Sequence, residues 1–84
     1  MHSIEFSHEA LKTLTKMPRN ARDLVKAKLA DLAADPAQAR NVKKLVGRPG
    51  YRLRVGDWRV IYELESGRLV VRVLEIGPRG GVYQ

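Results

Sequence analysis

The 84-residue chain contains no cysteine, which removes disulfide frameworks, thiolate metal sites and cysteine nucleophiles in one step. Histidine is scarce: His2 and His8 are the only two, and both read as surface residues. No Ser/His/Asp set, metal-ligand cluster, phosphate loop or paired-glycine dinucleotide fingerprint is present, so the familiar hydrolase, metalloenzyme and nucleotide-binding chemistries have no carrier here. Aromatic residues make up 6% of the chain, leaving Trp58, Phe6 and the tyrosines as the large core candidates. No window approaches the roughly 18 to 20 apolar residues of a membrane span, and the N-terminal segment lacks the apolar run and cleavage site of a signal peptide. The expectation is a cytoplasmic protein with no membrane partner.

What the chain does have is positive charge, 16 Lys and Arg against 9 Asp and Glu for a net +7. The excess is uneven. Residues 1–39 carry six basic and five acidic side chains, whereas residues 40–84 carry ten and four. Seven of those ten lie between Arg40 and Arg59, opposed there only by Asp57. A field concentrated in this way, on short strands punctuated by Gly and Pro, suits a polyanion such as nucleic acid.

Residues 2–6 alternate, with Ile4 and Phe6 on one face, and predict a short half-buried strand. Ser7 reads as an N-cap. Ala10, Leu11, Leu14 and Met17 then form one apolar face of a helix that stops at Pro18. Ala21, Leu24, Val25, Lys28, Leu29 and Leu32 follow a 3.6-residue period and predict a second helix over 19–34, ended by Asp35-Pro36. Residues 36–50 hold Pro36, Gly47, Pro49 and Gly50 and predict a loop with at most one turn near 37–40, carrying Lys43, Lys44 and Arg48. Three alternating strands follow, 51–55, 58–65 and 68–76, separated by Gly56-Asp57 and Ser66-Gly67. In the last of these, Leu69, Val71 and Val73 alternate with Val70, Arg72, Leu74 and Ile76. The order predicts a single α+β domain over 1–84: an N-terminal strand, a two-helix hairpin, then a three-stranded antiparallel meander, with the helices on one sheet face and the other face exposed.

If strands 51–55 and 58–65 pair around Gly56-Asp57, Arg52, Arg54 and Arg59 project from the same surface, with Glu63 as a neutralising neighbour. Crowded guanidiniums are costly unless an anion sits among them, and phosphate is the obvious guest. Arg72 reads as structural. The C-terminal segment adds Arg79 after Gly77-Pro78, and Tyr83 after the pair Gly80-Gly81, a ring of the kind that stacks on bases.

Taken together, Lys44-Leu45-Val46-Gly47, Tyr51-Arg52-Leu53-Arg54, Asp57-Trp58-Arg59-Val60-Ile61-Tyr62 and Ile76-Gly77-Pro78-Arg79 ending in Val82-Tyr83 resemble the RelE branch of the RelE/ParE toxin superfamily. The resemblance spans almost the whole chain. It implies a RelE-like fold and a ribosome-dependent endoribonuclease that cuts messenger RNA in the ribosomal A site through the substrate's own 2′-hydroxyl, with no metal or cofactor. It further implies that Arg52 and Arg54 engage the RNA and assist proton removal, that Arg59 stabilises the transition state, that Arg79 lies near the scissile phosphate, and that Tyr83 stacks on a base. Lys43, Lys44 and Arg48 would bind RNA or ribosome. Many relatives carry lysines where this chain has Arg52 and Arg54. The implied partners are a cognate antitoxin, the ribosome and its message, and DNA only through the antitoxin. Two alternatives stand beside this one: a ParE-like inhibitor of DNA gyrase, and a non-catalytic nucleic-acid-binding module.

Overall fold

In the computed structural model, which describes residues 2–65 and 67–78, strand β1 (Ser3–Phe6) leads directly into helix α1 (His8–Lys16). Ser7 fixes that junction twice. Its hydroxyl oxygen accepts the Ala10 N–H at 3.0 Å, satisfying one of the orphan donors of the first turn, while its O–H donates to the Leu74 carbonyl at 2.7 Å. The helix therefore starts tethered to the far end of the sequence, and it buries Ala10 and Leu14. Helix α2 (Arg19–Ala34) follows Pro18 and buries Val25, Leu29, Leu32 and Ala33. The His2 N–H donates to the Ala33 carbonyl at 2.8 Å, bringing the end of α2 back to the start of β1.

The remaining strands are β2 (Val42–Lys44), β3 (Tyr51–Val55), β4 (Trp58–Glu65) and β5 (Val70–Pro78). They form one five-stranded sheet in the order β1-β5-β4-β3-β2. β1 runs parallel to β5, and the other neighbours are antiparallel. Leu53, Val60, Tyr62, Val71, Val73 and Ile76 join the buried helix residues in a single core. The α+β architecture with both helices on one sheet face matches the expectation from the sequence.

Three features depart from it. First, residues 42–44 are a strand rather than loop, pairing Val42 with Leu53, Lys43 with Arg52 and Lys44 with Tyr51. Second, the last strand does not alternate throughout. Ile61 faces Glu75 while Tyr62 faces Val73, so Leu74 is the extra residue of a bulge. The bulge turns Ile76 onto the helix side beside Val60 and Val73, where strict alternation would have sent it outward with Arg72, and the Leu74 carbonyl it displaces is the one that Ser7 satisfies. Leu69, assigned above to the strand's apolar face, precedes the strand at φ +54 and is exposed. Third, the outer face is not uniformly open: Ile61 and Arg59 on that face are only 1% and 3% exposed.

Candidate nucleic-acid interface

The geometry of the outer face follows from one turn. Gly56, at φ +57, occupies the first central position of the two-residue connection between β3 and β4, where a tight hairpin demands a residue without a Cβ penalty. The resulting register sets Arg54 directly opposite Arg59 and Arg52 directly opposite Ile61. Directly opposed residues of an antiparallel pair share a face, so Arg52, Arg54 and Arg59 gather on the surface away from the helices. β2 then adds Lys43 across from Arg52. On the other side Gly77 of β5 lies across from Arg59.

Like charges held opposite one another destabilise a sheet, and here Arg54 and Arg59 are held so by a hairpin with a fixed register. Asn41, Val42, Lys43, Arg52 and Arg54 line a recess of about 320 Å³. Three cations around one concavity have the charge that phosphate binding requires, and guanidinium groups are suited to grip phosphate bidentately. Arg59 is the only charged residue buried among those described. Its stem and head are held inside the face while Arg54 stays exposed at its rim.

The far end of the same face has a different character. Arg72 pairs with Glu65 at 3.1 Å, and Arg68 reaches Glu65 and Glu5, both at 3.0 Å. The Arg68 guanidinium is held charged first by its hydrogen bond to Glu65 and then by the field of Glu5. Charges at that end pair with one another. Arg72 is structural, as its sequence position suggested. Glu63 lies across from Arg72, at a distance in register from the Arg54/Arg59 pair that the sequence reading had it neutralise.

Lys44 and Arg48 do not join the cluster. Lys44 lies opposite Tyr51 on the helix-side face of the sheet, one residue out of phase with Lys43. Arg48 is carried on the 45–50 loop to an ion pair with Glu75 of β5 at 3.5 Å. Gly50, at φ +109, anchors the loop's return: a Cβ there would stand 2.8 Å from the Tyr62 carbonyl oxygen. Arg79 and Tyr83 lie outside the described residues. Among the described residues no three His, Asp or Glu side chains gather as a metal site would need. Beneath the site, the Tyr51 and Tyr62 rings stack with centroids 5.4 Å apart. Burial, with Tyr51 adding to it, pushes the Tyr62 hydroxyl up to about 12.

Lys43, expected to bind RNA on a loop, reaches the cluster instead through a strand only three residues long, too short for periodicity to register. One contributor escaped the sequence: Asn41 sits at φ +62 and its carbonyl accepts the Arg54 N–H at 2.9 Å. The signal was there in residue type, since asparagine is among the few non-glycine residues that tolerate left-handed backbone.

The model of the ParE toxin family of type II toxin-antitoxin systems matches residues 4–83, nearly the whole chain. The chain belongs to the RelE/ParE toxin superfamily. Within it, this toxin is 30% identical over 79 residues to the mRNA interferase toxin RelE of Escherichia coli K12, covering 90% of this chain and 81% of that protein. Its fold superposes on the archaeal RelE-RelB complex from Pyrococcus horikoshii with a TM-score of 0.82 at 27% identity, covering 96% of this chain and 98% of the other. It also superposes on the intact E. coli RelBE toxin-antitoxin complex, with a TM-score of 0.78 at 30% identity and coverages of 93% and 96%. No helix among the described residues is long and apolar enough to cross a membrane.

Proposed function

We propose that this toxin is an endoribonuclease that cuts messenger RNA in the ribosomal A site. The observation that carries the reading is the opposed Arg54/Arg59 pair with Arg52 and Lys43 beside it, a phosphate-gripping surface on a toxin related to proteins named mRNA interferases. Cleavage proceeds by attack of the RNA's own 2′-oxygen on the adjacent phosphorus. The 2′-hydroxyl gives its proton to water as a 2′,3′-cyclic phosphate forms, the bond to the 5′-oxygen breaks, and that oxygen leaves as a hydroxyl after taking a proton from water. The chemistry needs in-line alignment, stabilisation of the phosphorane's added charge, and proton transfer. Arg59, buried and so working where water screens least, supplies the second. Arg52, Arg54 and Lys43 hold the strand, and Arg79 and Tyr83 are assigned to the leaving group and to base stacking. Arginines with pKa values above about 12 are poor general bases at neutral pH. Their part is to lower the pKa of the 2′-hydroxyl by proximity, so that no metal is required.

A cognate antitoxin completes the system. The relatives in the P. horikoshii and E. coli structures are bound to RelB, and an acidic, amphipathic segment suits a partner of net charge +7 through steering and apolar anchoring. Any binding to promoter DNA then runs through that antitoxin. The family model's ParE name favours a second reading, inhibition of DNA gyrase without RNA cleavage. Primer extension on translating ribosomes, run beside a supercoiling assay with the same purified toxin, separates the two. Truncated messages ending within A-site codons are expected, with supercoiling unaffected. Blocked supercoiling with intact message would favour the gyrase reading, and retained binding with neither effect would indicate a non-catalytic module.

A further inference from the structure

The cross-sheet row that holds Lys43 and Arg52 continues beyond the cluster. Lys43 lies across from Arg52, Arg52 from Ile61, and Ile61 from Glu75, so a row that begins with two cations ends on a carboxylate of β5. Neighbouring strands are about 4.8 Å apart, which puts the Glu75 backbone about 10 Å from that of Arg52, a Debye length at 0.1 M salt. Glu63 falls in the next row, across from Arg72. A negative charge at the position of Glu75 opposes any phosphate that approaches the cluster, and the ion pair with Arg48 offsets it. That pair is weakly held. Its contact is long, 3.5 Å between one guanidinium nitrogen and one carboxylate oxygen, and the two side chains are 45% and 39% exposed. Exposed pairs of this kind contribute little to stability, whereas guanidinium-phosphate bonds are charge-assisted and can be bidentate. A phosphate brought onto this face therefore competes favourably with the Glu75 carboxylate for Arg48.

We infer that Arg48 is a further RNA-binding residue, held by Glu75 in the free toxin and transferred to a phosphate of the bound strand, so that Glu75 sets a threshold for RNA binding. The strand then runs across the sheet, from the recess at β2 and β3 toward β5, with Arg48 gripping a phosphate beyond the one among Lys43, Arg52 and Arg54. The inference deepens the nuclease reading and rests on it, because that reading supplies RNA as the polyanion.

The test measures binding of a hexaribonucleotide made uncleavable by 2′-O-methylation, over a series of salt concentrations. Glu75→Gln, which keeps the shape of the side chain and removes its charge, is expected to bind about two- to fivefold more tightly than wild type, the range that an exposed ion pair spans. Arg48→Ala is expected to bind more weakly and to lower the slope of log affinity against log salt by about 0.7, one phosphate contact on a single strand. Arg48→Lys, which keeps the charge, is expected to retain the wild-type slope. Because the pair is exposed, all three variants are expected to melt with the wild type. Affinity of Glu75→Gln equal to or below that of wild type, an unchanged slope for Arg48→Ala, or no binding of the oligonucleotide by wild-type toxin would overturn the inference. The nuclease reading fails separately: tighter binding by Glu75→Gln, without cleavage of message on ribosomes by wild type, would keep the exchange of Arg48 and remove the enzyme.

Discussion

Among individual residues, Tyr62 shows how burial at the site converts into a measurable property. Its hydroxyl is held neutral in the folded toxin, with a pKa raised from 10.0 to about 12, chiefly by burial and secondarily by Tyr51. A raised folded-state pKa means that the stabilisation is complete below the unfolded value and is lost as pH climbs through the folded one. Between pH 10 and 12 the wild-type toxin is therefore expected to lose about 2–3 kcal/mol that Tyr62→Phe does not lose, since each pKa unit corresponds to about 1.4 kcal/mol. Denaturant titrations of the two proteins across that window check it; parallel curves would place the phenol in a wetter site. The arginines repeat the theme of local cost. Arg54 opposite Arg59 makes no sense as sheet chemistry, and conflicts of this kind between local stability and residue choice concentrate at functional positions.

At the level of elements, the sheet edge is where sequence and structure diverge most instructively. Both helices were legible because their apolar positions recur at helical spacing over 9 and 16 residues, long enough for the period to stand out. The β3-β4 hairpin was legible because Gly56-Asp57 leaves little choice of register, and that register alone gathers Arg52, Arg54 and Arg59. By contrast β2 is three residues long and pairs through backbone atoms that residue type does not encode. The Leu74 bulge was hidden for a related reason: Val70 to Ile76 is apolar on both parities, so nothing in the pattern marks where alternation slips. The fate of Lys44 and Arg48 follows from such details, a one-residue change of face and an ion pair closed across a loop. That loop depends on Gly50, whose φ of +109 and 2.8 Å approach to the Tyr62 carbonyl both exclude a side chain. Gly50→Ala is expected to cost about 1–3 kcal/mol from backbone strain, with the steric contact adding to it. Chemical denaturation measures the loss, and a neutral substitution would show that the 45–50 loop relaxes freely.

Over the whole molecule, charge is partitioned in a way that composition alone did not reveal. The net +7 could have been spread evenly; instead Glu5 and Glu65 tie down Arg68 and Arg72 at one end of the outer face, while Lys43, Arg52, Arg54 and Arg59 gather at the other. Binding to RNA should accordingly be steeply salt-dependent, with each neutralised phosphate contributing about 0.7 to the slope of log affinity against log salt for a single strand. Lys43→Ala is expected to lower that slope by nearly one contact, and Arg68→Ala to leave it unchanged. Equal slopes for Lys43→Ala and wild type would remove Lys43 from the RNA interface.

The same asymmetry gives the most direct test of the central claim, that the β2-β3-β4 end of the outer face cleaves RNA. It is the single-turnover rate of A-site message cleavage on programmed ribosomes by wild type, Arg59→Ala and Arg68→Ala, each first shown to be folded. Loss of a buried donor that stabilises transition-state charge typically costs about 100- to 1,000-fold. A fall of that size is expected for Arg59→Ala, with Arg68→Ala cutting at the wild-type rate. Comparable rates for all three proteins, or the larger loss at Arg68, would contradict it.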